Sequence, residues 1–156
     1  MQKIKFLAKL KKEKKLELVE PSENVNESYV LKSESNLISS KILLENNKLE
    51  EAIALTYYSM YHMLNALLFR IGIKCENHAA SIILLKELFN INNSDISNAK
   101  TERIDKQYYT EFHIAKQDVM EAIKNAELFN SRILDFISKI NNKEIEEYRK
   151  KFKEIS

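Results

Sequence analysis

The residues whose type and spacing single them out for acid–base or phosphate chemistry are three histidines, His62, His78 and His113, together with Arg70 and Lys74 ahead of His78 and Arg103, Tyr108 and Tyr109 beyond it. His78 follows Asn77, a good N-cap, so it opens a predicted helix whose free N–H groups and positive dipole end suit a phosphate or carboxylate. Arg70 and Lys74 lie just upstream and complete one candidate anion site; the alternative is a histidine that caps or packs at the turn. Arg103 with Tyr108 and Tyr109 is a second candidate, an arginine followed by hydroxyls able to donate to a phosphate, against an exposed Arg with packed Tyr residues. His62 is the third, since Tyr58 and Asn65 can share its helix face. Its unperturbed pKa suits an acid, base or nucleotide contact; the alternative is a core histidine hydrogen-bonded to a neighbouring carbonyl or hydroxyl.

Several machineries are excluded by residue type. A phosphate-cradling loop needs clustered glycines, and Gly72 is the only glycine. One cysteine, Cys75, cannot build a thiolate zinc site, and the histidines do not form HExxH. No metal site and no cofactor are expected.

The elements that must position these residues follow from helical periodicity. Glu51 to Ile73 is the organising stretch: from Ala52 to Phe69 only Thr56, Ser59, His62 and Asn65 are plainly polar. A helix apolar on most of its circumference belongs in the middle of a bundle, and its tyrosines and polar residues argue against a bilayer crossing. Before it, Ser22 caps a long helix from Glu23 to Glu45 with Tyr29, Val30, Ser33, Leu37, Ser40 and Leu44 as its stripe. The short link Asn46-Asn47-Lys48 makes the two helices antiparallel neighbours. The central helix stops near Gly72, a C-terminal signal. A helix from Asn77 or His78 to Phe89 follows, then a polar loop over residues 90–95, a helix from Ser97 or Lys100 to about Phe112, and a core helix from Lys116 to Ile140.

A chain of 156 residues with one Gly, one Pro and no Trp fits a single all-α domain. Residues 1–21 read as a basic N-terminal arm, 22–142 as the bundle and 143–156 as a charged helical tail. In the arm Lys3, Lys5, Lys9, Lys11, Lys12, Lys14 and Lys15 face only Glu13, while Ile4, Phe6, Leu7 and Leu10 could line an amphipathic helix. The arm either contacts phosphate or an acidic partner, or is solvated with its apolar side docked. Lysines stand where a signal peptide needs an apolar run, so a cytoplasmic protein is expected.

Three places in the sequence resemble the HEPN domain family. Ala54-Leu-Thr-Tyr-Tyr-Ser-Met-Tyr-His62, continuing into Ala66-Leu-Leu-Phe-Arg-Ile-Gly72, is similar to its central-helix signature. Glu76-Asn77-His78 stands where many members have Lys, then Ser or Thr, then His, with Glu76 replacing the Lys. Arg103 with Tyr108 resembles its Arg-to-Tyr stretch, and Ala126 with Phe129 its closing helix.

The resemblance implies an up-and-down bundle of about five helices, commonly a homodimer. Some members are metal-independent ribonuclease toxins with an Arg-x(4 to 6)-His motif, neutralised by a minimal nucleotidyltransferase; others lack the motif and bind nucleotides or act as non-catalytic partners. Here Tyr108 stands where that motif wants His, and His113 lies too far along. A phenol with a reference pKa of about 10 is a poor base near neutrality. The preferred expectation is therefore a nucleotide- or RNA-phosphate-binding module, or a nucleotidyltransferase partner, using Arg70, Lys74, His78 and Arg103. The alternative is a ribonuclease built on Arg103, Tyr108 and His113.

Overall fold

The computed structural model describes the backbone of residues 1–108 and 113–155, and the side chains of 1–104 and 113–155. The order is α1 (Gln2–Lys12), β1 (Leu16–Leu18), α2 (Glu23–Glu45), α3 (Leu49–Ile71), β2 (Ile73–Cys75), α4 (His78–Glu87), α5 (Ser94–Tyr108), α6 (Lys116–Lys139) and α7 (Asn142–Lys153). The fold is all-α, as its composition predicts, with α2 to α6 forming the bundle. Among the described residues no helix is long and apolar enough to cross a membrane.

α3 is the centre. It packs against α2, α4, α5, α6 and α7, and Tyr57, Leu64, Leu67, Leu68 and Ile71 are fully buried on its different sides. Its pairing with α2 is unusually polar for a core contact. Asn26, Ser33 and Ser40 recur at heptad spacing on α2 and meet Ala66, Ser59 and Ala52 running in the opposite direction on α3. The Asn26 amide donates to the Ala66 carbonyl at 2.8 Å, and the Ser40 hydroxyl to the Ala52 carbonyl at 2.9 Å. Between them the Ser33 and Ser59 hydroxyls each donate to the other's carbonyl at 2.7 Å. Small residues at every crossing let the two backbones approach closely enough for these bonds, so the hydroxyls of Ser33, Ser40 and Ser59 are fully buried between the helices.

The arm and the tail join the same core. Leu7 and Leu10 of α1 are buried with Ile145 and Phe152 of α7. A two-stranded antiparallel ribbon, which the sequence does not announce, ties them to α3: Leu16 pairs with Cys75, Glu17 with Lys74 and Leu18 with Ile73. No hairpin turn joins these strands, because β2 is reached only after α2 and α3. The reversal is made by Gly72 at φ 88°, whose N–H donates to Leu68 and Phe69. A left-handed C-cap of this kind favours glycine.

Helix C-termini are closed by cations from neighbouring elements, which supply donors for the unpaired last carbonyls. Lys151 donates to the Leu88 carbonyl after α4, and Lys11 of α1 to the Phe152 carbonyl of α7. Arg149 Nη1 reaches the carbonyls of Val19, Ile71 and Gly72 at 2.7, 3.0 and 3.1 Å, joining α7 to the α3 terminus and the chain leaving β1. Arg149→Met should remove all three bonds and cost about 2 kcal/mol, seen as a melting point lower by roughly 4–8 °C. An unchanged melting curve would mean that water replaces the guanidinium at no cost.

Candidate functional site

α3 carries Tyr57, Tyr58, Tyr61 and His62, spaced so that two adjacent rows of one helix face are aromatic. His78 is set against that face by the start of α4. The Asn77 side chain accepts from the Ala80 N–H at 2.9 Å, which fixes the first turn and makes His78 its first residue. Its ring stacks on Tyr61 with centroids 3.7 Å apart and planes 19° from parallel, and Nδ1 lies 2.8 Å from the Tyr57 hydroxyl. α5 adds Arg103, whose guanidinium carbon sits 4.9 Å from the Tyr58 ring centroid and 5.7 Å from that of Tyr57. Three helices thus bring a histidine and an arginine onto one tyrosine platform.

The titrating groups respond to this crowding. Burial raises the Tyr57 phenol far above its ordinary value, Tyr61 adds to that, and the Arg103 charge opposes it. Burial lowers His78, and the Arg103 and Lys100 charges lower it further. His62 is lowered by burial, then by Lys32 and His78. Both imidazoles are therefore neutral at pH 7.

The Tyr57–His78 bond orients that neutral ring. Tyr57 is fully buried, and His78 Nδ1 is the hydrogen-bond partner of its hydroxyl among the described residues. A buried phenol that donates nowhere is costly, and among the described residues Nδ1 is the acceptor within reach, which assigns the imidazole proton to Nε2. In that tautomer Nε2–H is a donor beside a guanidinium, an arrangement that suits a phosphate oxygen.

The structure distributes the sequence candidates unevenly. His78 and Arg103 come to the same tyrosines, and the Arg103 charge is felt at His78. Arg70 does not join them: it pairs with Glu23 at 3.5 Å, and it follows Tyr61 by about two and a half helical turns, which places it on the opposite side of α3. Lys74 is exposed in β2 and pairs with Glu76 at 3.6 Å. His113 is exposed and lines a surface hollow with Lys48 and Glu50 at the start of α3. Tyr108 is the last residue of α5, with its side chain outside the described set; Tyr109 and the predicted helix end at Phe112 lie outside the described residues. His62 departs from the hydrogen-bonded core histidine expected of it. It is half-buried beside Tyr29 and Tyr58, and its buried Nδ1 has no partner among the described residues. Tyr57, Tyr61 and Lys100 also surround the site, and no functional motif in the sequence marks them. The available signal was the run of aromatic side chains at one-turn spacing, which packing alone can also produce.

The chain matches the HEPN domain family over residues 26–136. It belongs to that family. The HEPN span begins in the first turn of α2 and ends in α6, so it contains every member of the tyrosine platform and excludes α1, β1 and α7. A candidate toxin of Methanocaldococcus jannaschii is 30% identical over 115 residues, covering 69% of this chain and 85% of that protein. A UPF0332 protein of Pyrococcus horikoshii is 31% identical over 99 residues, covering 64% of this chain and 66% of that relative.

Proposed function

We propose that this HEPN domain is a toxin-type module that binds an RNA or nucleotide phosphate between His78 Nε2–H and the Arg103 guanidinium. The observation that carries this is the Tyr57–His78 bond, which turns a neutral imidazole into a fixed donor next to a fixed positive charge. The relative named as a candidate toxin supports the toxin-type reading. A second copy of the chain and a minimal nucleotidyltransferase are the partners that fit it.

A second reading is a ribonuclease in which His78 takes the proton of a 2′-hydroxyl. One observation favours it: His78 is held neutral, as a base must be. The tautomer argues against it, because Nε2 carries a proton until the Tyr57 hydroxyl rotates away.

Titration with the dinucleotide uridylyl-uridine across pH separates the readings, since its phosphodiester does not titrate in the range used. A bound anion raises the pKa of His78 from its lowered free value, so affinity should increase as pH falls from about 8 through the histidine range, and His78→Gln should abolish that dependence. Equal affinity and equal pH profile in His78→Gln and wild type would defeat the binding site. Metal-independent cleavage that rises with pH and disappears in His78→Gln would establish the ribonuclease instead.

A further inference from the structure

The basic arm has a partner in the fold that the site above does not use. A groove of ≈ 300 Å³ runs between α4 and α5, with Ala79, Ile82 and Ile83 on one side, Lys100 and Thr101 on the other, and Lys3 of α1 across its end. It carries two cations and no carboxylate. Some lysines of the chain are held in salt bridges, Lys9 and Lys15 with Glu13 and Lys41 with Glu127. Neither Lys3 nor Lys100 has an ion-pair partner among the described residues.

The groove opens beside the His78–Arg103 site. Ala79 is the residue after His78, and Lys100 precedes Arg103 by three positions on α5, a spacing that puts side-chain roots about 5–6 Å apart. The Lys100 charge is felt at His78.

We infer that this groove is the second-phosphate subsite of a single RNA strand, with one phosphate at His78 and Arg103 and the next led along Lys100 toward Lys3. The inference rests on the phosphate reading of the His78–Arg103 site. Its apolar wall of Ile82 and Ile83 offers a ribose or base a surface without hydrogen-bond demands. Lysine ammonium groups act as point charges that accept a phosphate in many orientations. Recognition in the groove is therefore indifferent to base sequence and sensitive to salt.

The test compares a 5′-fluorescein-labelled hexauridylate, by fluorescence anisotropy, with uridine monophosphate, by calorimetry. Wild type should bind the hexamer at least tenfold more tightly than the monomer. Lys3→Gln, at an exposed position, should weaken the hexamer severalfold and leave the monophosphate unchanged. It should also reduce the slope of log affinity against log salt by about 0.7, the loss of one phosphate contact on a single strand. Adding Lys100→Gln should double that reduction. Hexamer affinity and salt slope that survive both changes, while Arg103→Met destroys binding, overturn the groove and spare the site. Hexamer binding that survives Arg103→Met but fails in Lys3→Gln overturns the site and the continuous track with it. A wild-type protein that binds neither ligand overturns both.

Discussion

Arg103→Met should raise the dissociation constant for uridylyl-uridine about 100-fold, roughly 2.7 kcal/mol, the loss of a charge-assisted contact to a phosphate in a partly dry site. The same substitution should raise the His78 pKa, because the guanidinium is one of the charges that holds it down. An imidazole titration by NMR reads that shift directly. It separates a loss of charge at the site from a general loosening, which would return His78 to its ordinary value by exposing it and would move His62 as well. Folding should suffer little: the cation–π contacts with Tyr58 and Tyr57 contribute about 1 kcal/mol at a half-exposed position. Arg103→Lys should fall between the two, since an ammonium keeps the charge but cannot lie flat on a ring or offer a planar fork. A dissociation constant for Arg103→Met within twofold of wild type would remove the phosphate from this site altogether.

The parts of the fold that were legible in the sequence are those governed by local chemistry. Ser22 caps α2 by accepting from the Val25 N–H, Asn77 caps α4, and Gly72 ends α3 in the conformation that glycine permits. α2 accordingly begins and ends where its caps and the Asn46-Asn47-Lys48 link predict. Where capping chemistry hides inside a polar run, the boundary slips. The sequence pattern predicts α5 from Ser97 or Lys100, but it starts at Ser94, because the Asn92 side chain accepts from the Ser94 N–H at 2.8 Å and shapes the turn that launches the helix. The β1–β2 ribbon was invisible for a different reason: its strands are joined by two long helices, and only the packing of those helices sets their register.

The site shows the same division. Arg103 and His78 could be named singly from residue type, whereas their meeting depends on how α4 and α5 cross α3. Closeness in the chain groups Arg70 and Lys74 with His78. The helix carries Arg70 to its far side, and the α3 turn leaves Lys74 outward in a strand. Ser33 and Ser40 fitted the α2 stripe by period, but period alone could not tell that they are fully buried. Their hydroxyls are satisfied by carbonyls of a helix that only close approach brings within reach.

That close approach should make Ser59→Leu the most damaging substitution on α3. Ser59 lies opposite Ser33 in the α2–α3 seam and is fully buried. Leucine adds volume where neither backbone can retreat without breaking the Asn26 and Ser40 bonds on either side, and overpacking of this kind costs about 1–3 kcal/mol. The change also removes the acceptor of the Asn130 amide, which donates to the Ser59 hydroxyl at 3.0 Å from α6. Asn130 Oδ1 already lacks a partner among the described residues, so the whole side-chain amide would be left buried and unpaired, at a further cost of about 1–3 kcal/mol. The sum, roughly 2–6 kcal/mol, is a large share of the stability of an ordinary domain and should lower the melting point by about 10 °C. Ser59→Ala keeps the shape and should lose only the hydrogen-bond part. If urea unfolding gave Leu and Ala the same small penalty, the seam would be loose enough to admit a large side chain, and the heptad match of small residues on α2 and α3 would have no energetic meaning.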